Sequence, residues 1–192
     1  MNIVEQILTY QPYNKQEEQD QMVILDLLNK NSDLFHRSNL TAHMTASAWV
    51  VNQDFTKVLM VYHNIFDSWS WLGGHADGET NLHAVAESEV LEESGLTQIC
   101  SLSKEIFSLE ILTVDGHIKS GNYVASHLHL NVTYLFKAND QAAVTCKPDE
   151  NSDVAWFDLN AAIEASSEPW FKKHIYPKLN HKLNSFILNS SF

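Results

Sequence analysis

Three glutamates, Glu89, Glu92 and Glu93, stand close together in the segment GGHADGETNLHAVAESEVLEESGL, which is residues 73–96. On a helix, side chains three and four residues apart are neighbours, and like charges at this spacing destabilise the helix by about 0.2–0.5 kcal/mol per pair. The segment has no lysine or arginine to offset the repulsion. Mg²⁺ would offset it, because this ion binds carboxylate oxygens and completes its shell with water and substrate phosphate. Three glutamates alone are more typical of a solvated acidic helix face, so the metal hypothesis depends on how the helix is held.

The flanking residues fix both ends of this predicted helix. A glycine turn precedes it, Thr80 is the expected N-cap, and Gly95 is the expected residue just past its C-terminus. At about 100° per residue, Leu82, Ala86 and Val90 form one apolar stripe, and the glutamates lie along the edge of that stripe. Fixed ends and a buried stripe allow the carboxylates to converge, so we predict a metal site here.

The chain is strongly acidic. Its net charge is −12, from 24 acidic and 12 basic residues, and Arg37 is its only arginine. Proteins that grip a nucleic-acid backbone normally carry clustered lysine and arginine, so long nucleic acids are excluded as expected partners. If a phosphate ligand binds, bound divalent cations must supply most of the positive charge. Arg37 either reaches a phosphate through two hydrogen bonds or forms a surface ion pair.

The length of 192 residues favours one domain, and the hydrophobic share of 44% is typical of a globular protein. No apolar run approaches the roughly 18 residues of a membrane span, and the N-terminus does not resemble a secretory signal. We therefore expect a cytoplasmic protein without membrane partners. Cys100 and Cys146 lack metal or redox spacing and are expected to be reduced. A homodimer is compatible with the sequence, which does not determine the oligomeric state.

The periodicity of the apolar residues predicts a mixture of helices and strands. Residues 1–36 are predicted to be helical, with Ile3, Ile7 and Leu8 before Pro12 and with Met22, Leu25 and Leu28 after it. The predicted strands are 45–52 and 57–63 as a hairpin, 106–114 and 126–136 as a pair, and 154–159 before a helix at 160–165. Residues 63–71 are expected to form a loop, and residues 169–188 a terminal helix that breaks at Pro177. The predicted class is α+β, or a layered α/β/α sandwich.

Polar residues alternate with apolar ones in SHLHLNVTYLF, where His127, His129, Asn131 and Thr133 share one strand face. That face either lines a cleft or meets water and internal hydrogen bonds, and the sequence leaves both open. His43 and His75 are similar cases. A histidine zinc site is the less favoured alternative, because no second cluster with zinc spacing supports it.

Two tryptophans, Trp69 and Trp71, lie just before the glycine turn. Either could stack on a base or on a sugar-linked group of a ligand. Packing in the core or at its rim is the more common role of such aromatic residues.

The segment from Gly74 to Leu96 resembles the Nudix box, whose pattern is G-x5-E-x7-R-E-U-x-E-E-x-G-U, with U a bulky aliphatic residue. The residues on pattern positions are Gly74, Glu89, Val90, Glu92, Glu93, Gly95 and Leu96. Two positions depart from it: Thr80, preceded by Glu79, replaces the first glutamate, and Ser88 replaces the arginine. The GGHADGE opening, with AHMTASAWVV and SHLHLNVTYLF, is similar to a bacterial Nudix subgroup that has an N-terminal helical extension.

The resemblance implies a Nudix fold with a mixed β-sheet between helices and an N-terminal helical extension. It implies a single Nudix hydrolase domain over 1–192, with the extension at 1–40, the core at 41–165 and a C-terminal helix at 166–192. Family members hydrolyse a nucleoside diphosphate linked to another moiety, with Mg²⁺ or Mn²⁺ bound by the box glutamates. The partner would therefore be a small nucleotide-type molecule.

By the same resemblance, Glu89, Glu92 and Glu93 are the catalytic metal ligands, with a backbone carbonyl of Gly73 or Gly74. Water is the nucleophile, and the base is unassigned. The arginine of the family pattern would neutralise a glutamate of the pair, so Ser88 leaves Glu92 without that charge partner. The substrate-binding candidates are Arg37, His43, Trp69, His75, His127, His129 and Glu150, the last also a candidate base. The alternative function is a catalytically weakened nucleotide-binding or regulatory protein, suggested by Ser88 and Thr80.

Overall fold

The computed structural model describes residues 1–119 and 121–190. These residues group into two compact units, each assembled from three segments of the chain. Unit 1 comprises Met1–Ala48, Gly73–Glu89 and Ser103–Leu135, and unit 2 comprises Trp49–Leu72, Val90–Leu102 and the chain from Phe136 onward.

Helices and strands follow one another in a mixed order. The helices are α1 (Ile3–Thr9), α2 (Lys15–Lys30), α3 (Leu82–Ser94), α4 (Leu159–Ala165) and α5 (Tyr176–Ser190), and a π-helical segment, Phe171–Ile175, precedes α5. The strands are β1 (Ala42–Val51), β2 (Lys57–His63), β3 (Ser68–Ser70), β4 (Leu72–His75), β5 (Cys100–Ser101), β6 (Ser108–Val114), β7 (His117–Lys119), β8 (Asn122–Val124), β9 (His127–Lys137) and β10 (Asn151–Asp158). The sheet order is β10-β2-β1-β9-β5, with β3 paired to β2, β4 to β1 and β6 to β9.

In unit 1, the N-terminal helices form as the apolar spacing predicts. Asn2 caps α1, with its side chain accepting from the Glu5 amide, and Pro12 lies between the two helices. Ile7 is fully buried, whereas Leu8 and Met22 are exposed although both were expected on the apolar stripe. Ile24 is the buried apolar residue among those described for α2.

A buried carboxylate joins α2 to β6 within unit 1. The Glu17 side chain is fully buried, and it accepts hydrogen bonds from Ser108 Oγ at 2.8 Å and from Tyr10 OH at 2.6 Å. The Ile111 amide donates to Asp20 Oδ2 at 3.0 Å. Charged groups are buried only where hydrogen bonds satisfy them, so these bonds specify how α2 lies on the strand.

The long strand pair of unit 1 is confirmed. Strand β6 runs antiparallel to β9, with Glu110 opposite Asn131. The stretch between them, for which no element was predicted, contains a second pair of strands, in which β7 runs antiparallel to β8.

In unit 2, β1 and β2 form the predicted hairpin, with Val51 opposite Val58. The expected loop at 63–71 is partly a strand, because β3 pairs with β2 and places Trp69 opposite Tyr62. Strand β10 pairs with β2 over residues 151–158, so it begins earlier than the predicted 154–159. Among the described residues, no helix is long and apolar enough to cross a membrane.

The C-terminal helix of unit 2 does not break at Pro177. Pro177 lies where the π-helical segment Phe171–Ile175 passes into α5, so the residue without an N–H coincides with a change of helix type rather than with a break. The π-helical segment just before it joins α5 continuously. Trp49 and Tyr176 are fully buried, and their rings stack with centroids 5.6 Å apart. The tail therefore supplies aromatic core residues as well as a terminal helix.

Candidate functional site

Helix α3 has the predicted apolar stripe but a different N-cap. Leu82, Ala86 and Val90 are all buried. The Ala84 amide donates to Asn81 Oδ1 at 3.3 Å, so the cap is Asn81 rather than Thr80. The helix ends as predicted, with Gly95 in the left-handed region at φ 67°.

In unit 1, the glycine turn lies directly against Glu89. A Cβ added to Gly74 would overlap Glu89 Oε1, so the carboxylate occupies the space that any other side chain would fill. Gly73 is packed against backbone instead, because a Cβ there would lie 2.5 Å from Ala46 O and 2.7 Å from Ser47 Cα. The two glycines therefore have different structural roles. Gly73 allows close packing against the backbone of Ala46 and Ser47, and Gly74 leaves space for the Glu89 carboxylate.

In unit 2, Glu92 has a charge partner that the sequence did not reveal. Lys147 Nζ lies 3.4 Å from Glu92 Oε2 and 3.0 Å from Glu150 Oε2. The hydrogen bond to Glu150, with a smaller contribution from Glu92, raises the pKa of Lys147 above its usual range. Lys147 stands 55 residues after Glu92, so helix periodicity could not indicate the pair. The one local feature of the sequence that indicates an ion pair here is the three-residue spacing of Lys147 and Glu150.

The end of α3 is tied to the same loop in unit 2. Glu93 is 3% exposed. The Asn151 side chain donates to Glu93 O at 3.4 Å and accepts from the Lys147 amide at 2.8 Å. Asn151 is fully buried, so it fixes the backbone that carries Lys147 relative to the last turn of the helix.

Four histidines from three strands meet in unit 1. His43 lies on β1, His75 on β4, and His127 and His129 on β9. Ring nitrogens of His43, His75 and His129 lie within 4.8 Å of one another. The ring centroid of His43 is 4.8 Å from that of His127, and the Nε2 atoms of His127 and His129 are 3.2 Å apart.

The environment of this cluster favours neutral rings. Burial, followed by the charge of Arg37, lowers the pKa of His75 to about 3. Burial and the neighbouring histidines lower the pKa of His129 to about 2. Burial also lowers the pKa of His43, whose Nδ1 donates to Asn39 O at 3.0 Å. At neutral pH the rings of His43, His75 and His129 are therefore uncharged, which is the form of histidine that binds a metal ion.

The rest of the polar face of β9 does not face water. Asn131 is 1% exposed, and its Oδ1 accepts from Thr45 Oγ1 and from Ser47 Oγ, both at 2.9 Å. Its Nδ2 donates to Glu110 Oε2 at 3.3 Å. Of the two possibilities that the sequence left open, this part of the face satisfies internal hydrogen bonds.

Two of the remaining candidates, Arg37 and Trp69, have partners outside the two clusters. Arg37 donates its Nε to Asp77 Oδ1 at 2.7 Å, as one arm of a two-pronged ion pair that is half-exposed. Trp69 packs edge-on against Tyr62 and Phe157.

Trp71 is 7% exposed and packs against Phe171 and Tyr176, which is the core role given above as its alternative.

Comparison with known proteins decides the family. The sequence profile described as the NUDIX domain matches residues 41–179, which is more than half of the chain. The chain belongs to the NUDIX domain family. No curated protein matches the sequence significantly.

Solved structures share the fold at low identity. The C. elegans Ap4A hydrolase, in a binary complex, has a TM-score of 0.50 and 18% identity, with 76% of this chain and 98% of that chain covered. The E. coli dihydroneopterin triphosphate pyrophosphohydrolase has a TM-score of 0.51 and 14% identity, over 76% and 95% of the two chains. The M. smegmatis Nudix hydrolase RenU has a TM-score of 0.51 and 12% identity, over 78% and 88%.

These comparisons confirm the predicted α+β Nudix fold of the α/β/α sandwich type, with its N-terminal helical extension. They also confirm a Nudix-type hydrolase at the level of the family. The box that predicted the family covers residues 74–96, whereas the family match extends far beyond it on both sides.

Proposed function

We propose that this protein is a metal-dependent hydrolase that cleaves the pyrophosphate linkage of a nucleoside diphosphate linked to another moiety. The observation that carries the proposal is the contact of Gly74 with Glu89, on the helix that also bears Glu92 and Glu93. The absence of a side chain at Gly74 lets the Glu89 carboxylate lie against the glycine turn, and carboxylate and backbone carbonyl oxygens are the ligands that hard divalent cations prefer. Family membership supports the reaction class.

The donor set fits Mg²⁺ or Mn²⁺. Glu89, Glu92 and Glu93 are spaced three and four residues apart on one continuous helix, so the helix repeat itself places them as neighbours. Their carboxylates, with a carbonyl of Gly73 or Gly74, would hold the ion. When bound, it would activate water and neutralise the charge that develops on the phosphates.

The chain's own residues then have distinct roles. The water oxygen forms a bond to phosphorus as the bridging P–O bond breaks, and the water proton passes to a base. Glu150 is our candidate for that base or for a substrate contact, since its carboxylate lies beside Lys147. Lys147 would neutralise Glu92 and Glu150 until the metal ion displaces it from Glu92.

The substrate class is a small nucleotide-type molecule. Two structural relatives support this class, because one is named an Ap4A hydrolase and the other a dihydroneopterin triphosphate pyrophosphohydrolase. The candidates for substrate binding are Arg37, His43, Trp69, His75, His127, His129 and Glu150. We propose a cytoplasmic location on the sequence argument given above.

Turnover of a substrate panel tests the proposal. The full chain is incubated with Mg²⁺ or Mn²⁺ and nucleoside diphosphate sugars, dinucleoside polyphosphates, coenzymes or oxidised nucleotides, and the products are separated by ion-exchange chromatography. We expect metal-dependent hydrolysis of at least one compound. Glu92→Gln should reduce kcat at least about 100-fold, because ligand loss should cost no less than the 10–100-fold typical of outer-shell changes.

Glu87→Gln is the matched control, because it removes the same charge from the same helix. Glu87 only approaches His83, at 3.9 Å, so its replacement should leave turnover unchanged. Thermal unfolding of both variants separates a lost site from a lost fold. Tight nucleotide binding by the wild type with no turnover of any panel member would instead support the binding or regulatory alternative.

A further inference from the structure

The four histidines of unit 1 form a cluster that the proposed hydrolytic site does not use as metal ligands. We propose that His43, His75 and His129, with His127 as the fourth ligand, bind a zinc ion. The site goes beyond the proposed function, because its donors are imidazole nitrogens on β1, β4 and β9 rather than carboxylates on α3.

The spacing of the ring nitrogens suits a tetrahedral ion. Zn–N bonds of about 2.0–2.1 Å at tetrahedral angles place neighbouring ligand nitrogens about 3.3 Å apart. The Nε2 atoms of His127 and His129 are already 3.2 Å apart. The nitrogens of His43, His75 and His129 are within 4.8 Å, so ring shifts of about 1 Å bring them to the required separation.

One nitrogen in the cluster is buried without a partner. His43 is 4% exposed, and its Nε2 is buried and forms no hydrogen bond. A buried polar atom without a partner costs about 1–3 kcal/mol, so such an atom calls for an explanation. Because the Nδ1–H of the same ring donates to Asn39 O at 3.0 Å, the lone pair of Nε2 is the group left over.

The outer hydrogen bonds match those of metal-binding histidines. Such residues almost always donate the second ring N–H to a carbonyl or carboxylate, which fixes the tautomer and the ring orientation. His43 does so with Asn39 O, and His127 donates Nδ1 to Ala125 O at 2.8 Å. Both rings are thereby held with Nε2 facing the cluster, where His43 Nε2 has no partner and His127 Nε2 forms a hydrogen bond of 3.2 Å with His129 Nε2 that a zinc ion would replace.

The donor type selects the ion. Imidazole nitrogens suit zinc and neighbouring transition metals, whereas Mg²⁺ prefers oxygen ligands. Zinc would connect three strands of unit 1 and would fix His75, which directly follows Gly74 in β4. We infer that the zinc ion would stabilise the position of β4, the strand that contains Gly73 and Gly74.

Cobalt provides the test, because Co²⁺ substitutes for Zn²⁺ and gives visible d–d absorption that is intense in tetrahedral sites. The full chain, purified without a polyhistidine tag, is titrated with Co²⁺ and then with Zn²⁺ in excess Mg²⁺. We expect one equivalent of Co²⁺ with a tetrahedral spectrum that Zn²⁺ abolishes and Mg²⁺ does not. His75→Asn and His129→Asn should each weaken Co²⁺ binding at least about tenfold.

Two further variants make the result specific. His181→Asn, which replaces an exposed histidine of α5, should bind Co²⁺ like the wild type. Glu92→Gln should also keep the spectrum, even if it loses turnover, so the two proposals can fail separately. An octahedral spectrum, displacement by Mg²⁺, or equal affinity of the wild type and His129→Asn would overturn the zinc site. Circular dichroism of each variant confirms that it is folded.

Discussion

The histidine cluster of unit 1 and the Glu92–Lys147–Glu150 cluster of unit 2 favour opposite charge states of their ionisable side chains. The first is largely buried, and burial keeps the rings of His43, His75 and His129 neutral by lowering their pKa values. The second is more exposed, and its charges are paired across 3.0–3.4 Å. Burial without a charge partner selects the neutral state, and exposure with a partner keeps the charged state.

Under the two proposals above, this difference would let the chain distinguish two kinds of cation. Neutral nitrogen donors suit a borderline transition metal, and anionic oxygen donors suit Mg²⁺ or Mn²⁺. Each cluster is also stabilised without a bound ion. The negative charge of Glu92 is neutralised by Lys147, and His43 and His127 each donate a ring N–H to a backbone carbonyl.

The largest expected effect comes from Gly74→Ala, which adds a single methyl group next to Glu89. Gly74→Ala would push the Glu89 carboxylate from its place, and a displacement of about 1 Å can cost about 100-fold in rate. The clash is with the movable end of a side chain, so the free energy of unfolding should change by less than about 1 kcal/mol. Steady-state kinetics and urea unfolding measure both quantities.

Gly73→Ala is the contrasting variant. Its Cβ would meet the backbone of Ala46 and Ser47, which cannot move aside without disturbing the strand. It should therefore lose about 1–3 kcal/mol of stability. If Gly74→Ala kept full activity, the assignment of Glu89 to the metal site would be contradicted.

The second test is the pH dependence of stability in metal-free protein. His75 and His129 have folded-state pKa values of about 3 and about 2, below the unfolded value of about 6.5. Below pH 6.5 the unfolded state binds protons that the folded state does not, so stability falls as the pH falls. Between pH 6.5 and pH 5 each ring should cost up to about 2 kcal/mol, measured by urea unfolding.

Replacing both rings, by His75→Asn with His129→Asn, should flatten this slope, whereas His181→Asn should not. Glu168 in unit 2 acts with the opposite sign, because burial raises its pKa to about 7. Its contribution is present at low pH and is lost as the pH rises through 7. A steep acid loss that persists in the double variant would show that other groups cause it.

The smallest expected effect concerns Lys147. Lys147→Met removes a cation that competes with the metal ion for Glu92, so half-saturation by Mg²⁺ should occur at a concentration lower by about two- to fivefold. The effect stays small because exposed ion pairs contribute about 0–1 kcal/mol. Lys57→Met, which breaks a similar pair with Asp140 at 3.3 Å, should leave the Mg²⁺ dependence unchanged. Weaker Mg²⁺ binding in Lys147→Met would show that Lys147 orients the carboxylate rather than competing for it.

Local periodicity accounts for what the sequence predicted well. The buried stripe of Leu82, Ala86 and Val90 follows from the helix repeat, and Gly95 ends α3 because glycine tolerates positive φ. The N-cap was misplaced by one residue, since Thr80 and Asn81 are both good caps and the choice depends on where the glycine turn ends.

Pairing over long sequence distances accounts for what the sequence could not predict. Strand alternation grouped His127 with His129, but no local pattern joins them to His43 and His75, which arrive on other strands. The Lys147–Glu92 pair was missed for the same reason. Three-residue strands such as β3 and β7 are too short to show an alternation, so their segments were expected to be loops.

Glu17 has a consequence for where this protein can be cut. The family match begins at residue 41, yet the Glu17 carboxylate is fully buried and accepts a hydrogen bond from the Ser108 hydroxyl group on β6. Removing the first forty residues would strip β6 of the helix that covers it and leave Ser108 and the buried Glu110 facing solvent. The shortest stable version of this hydrolase therefore begins before α2, and recombinant fragments trimmed to the family limits should be prone to aggregation.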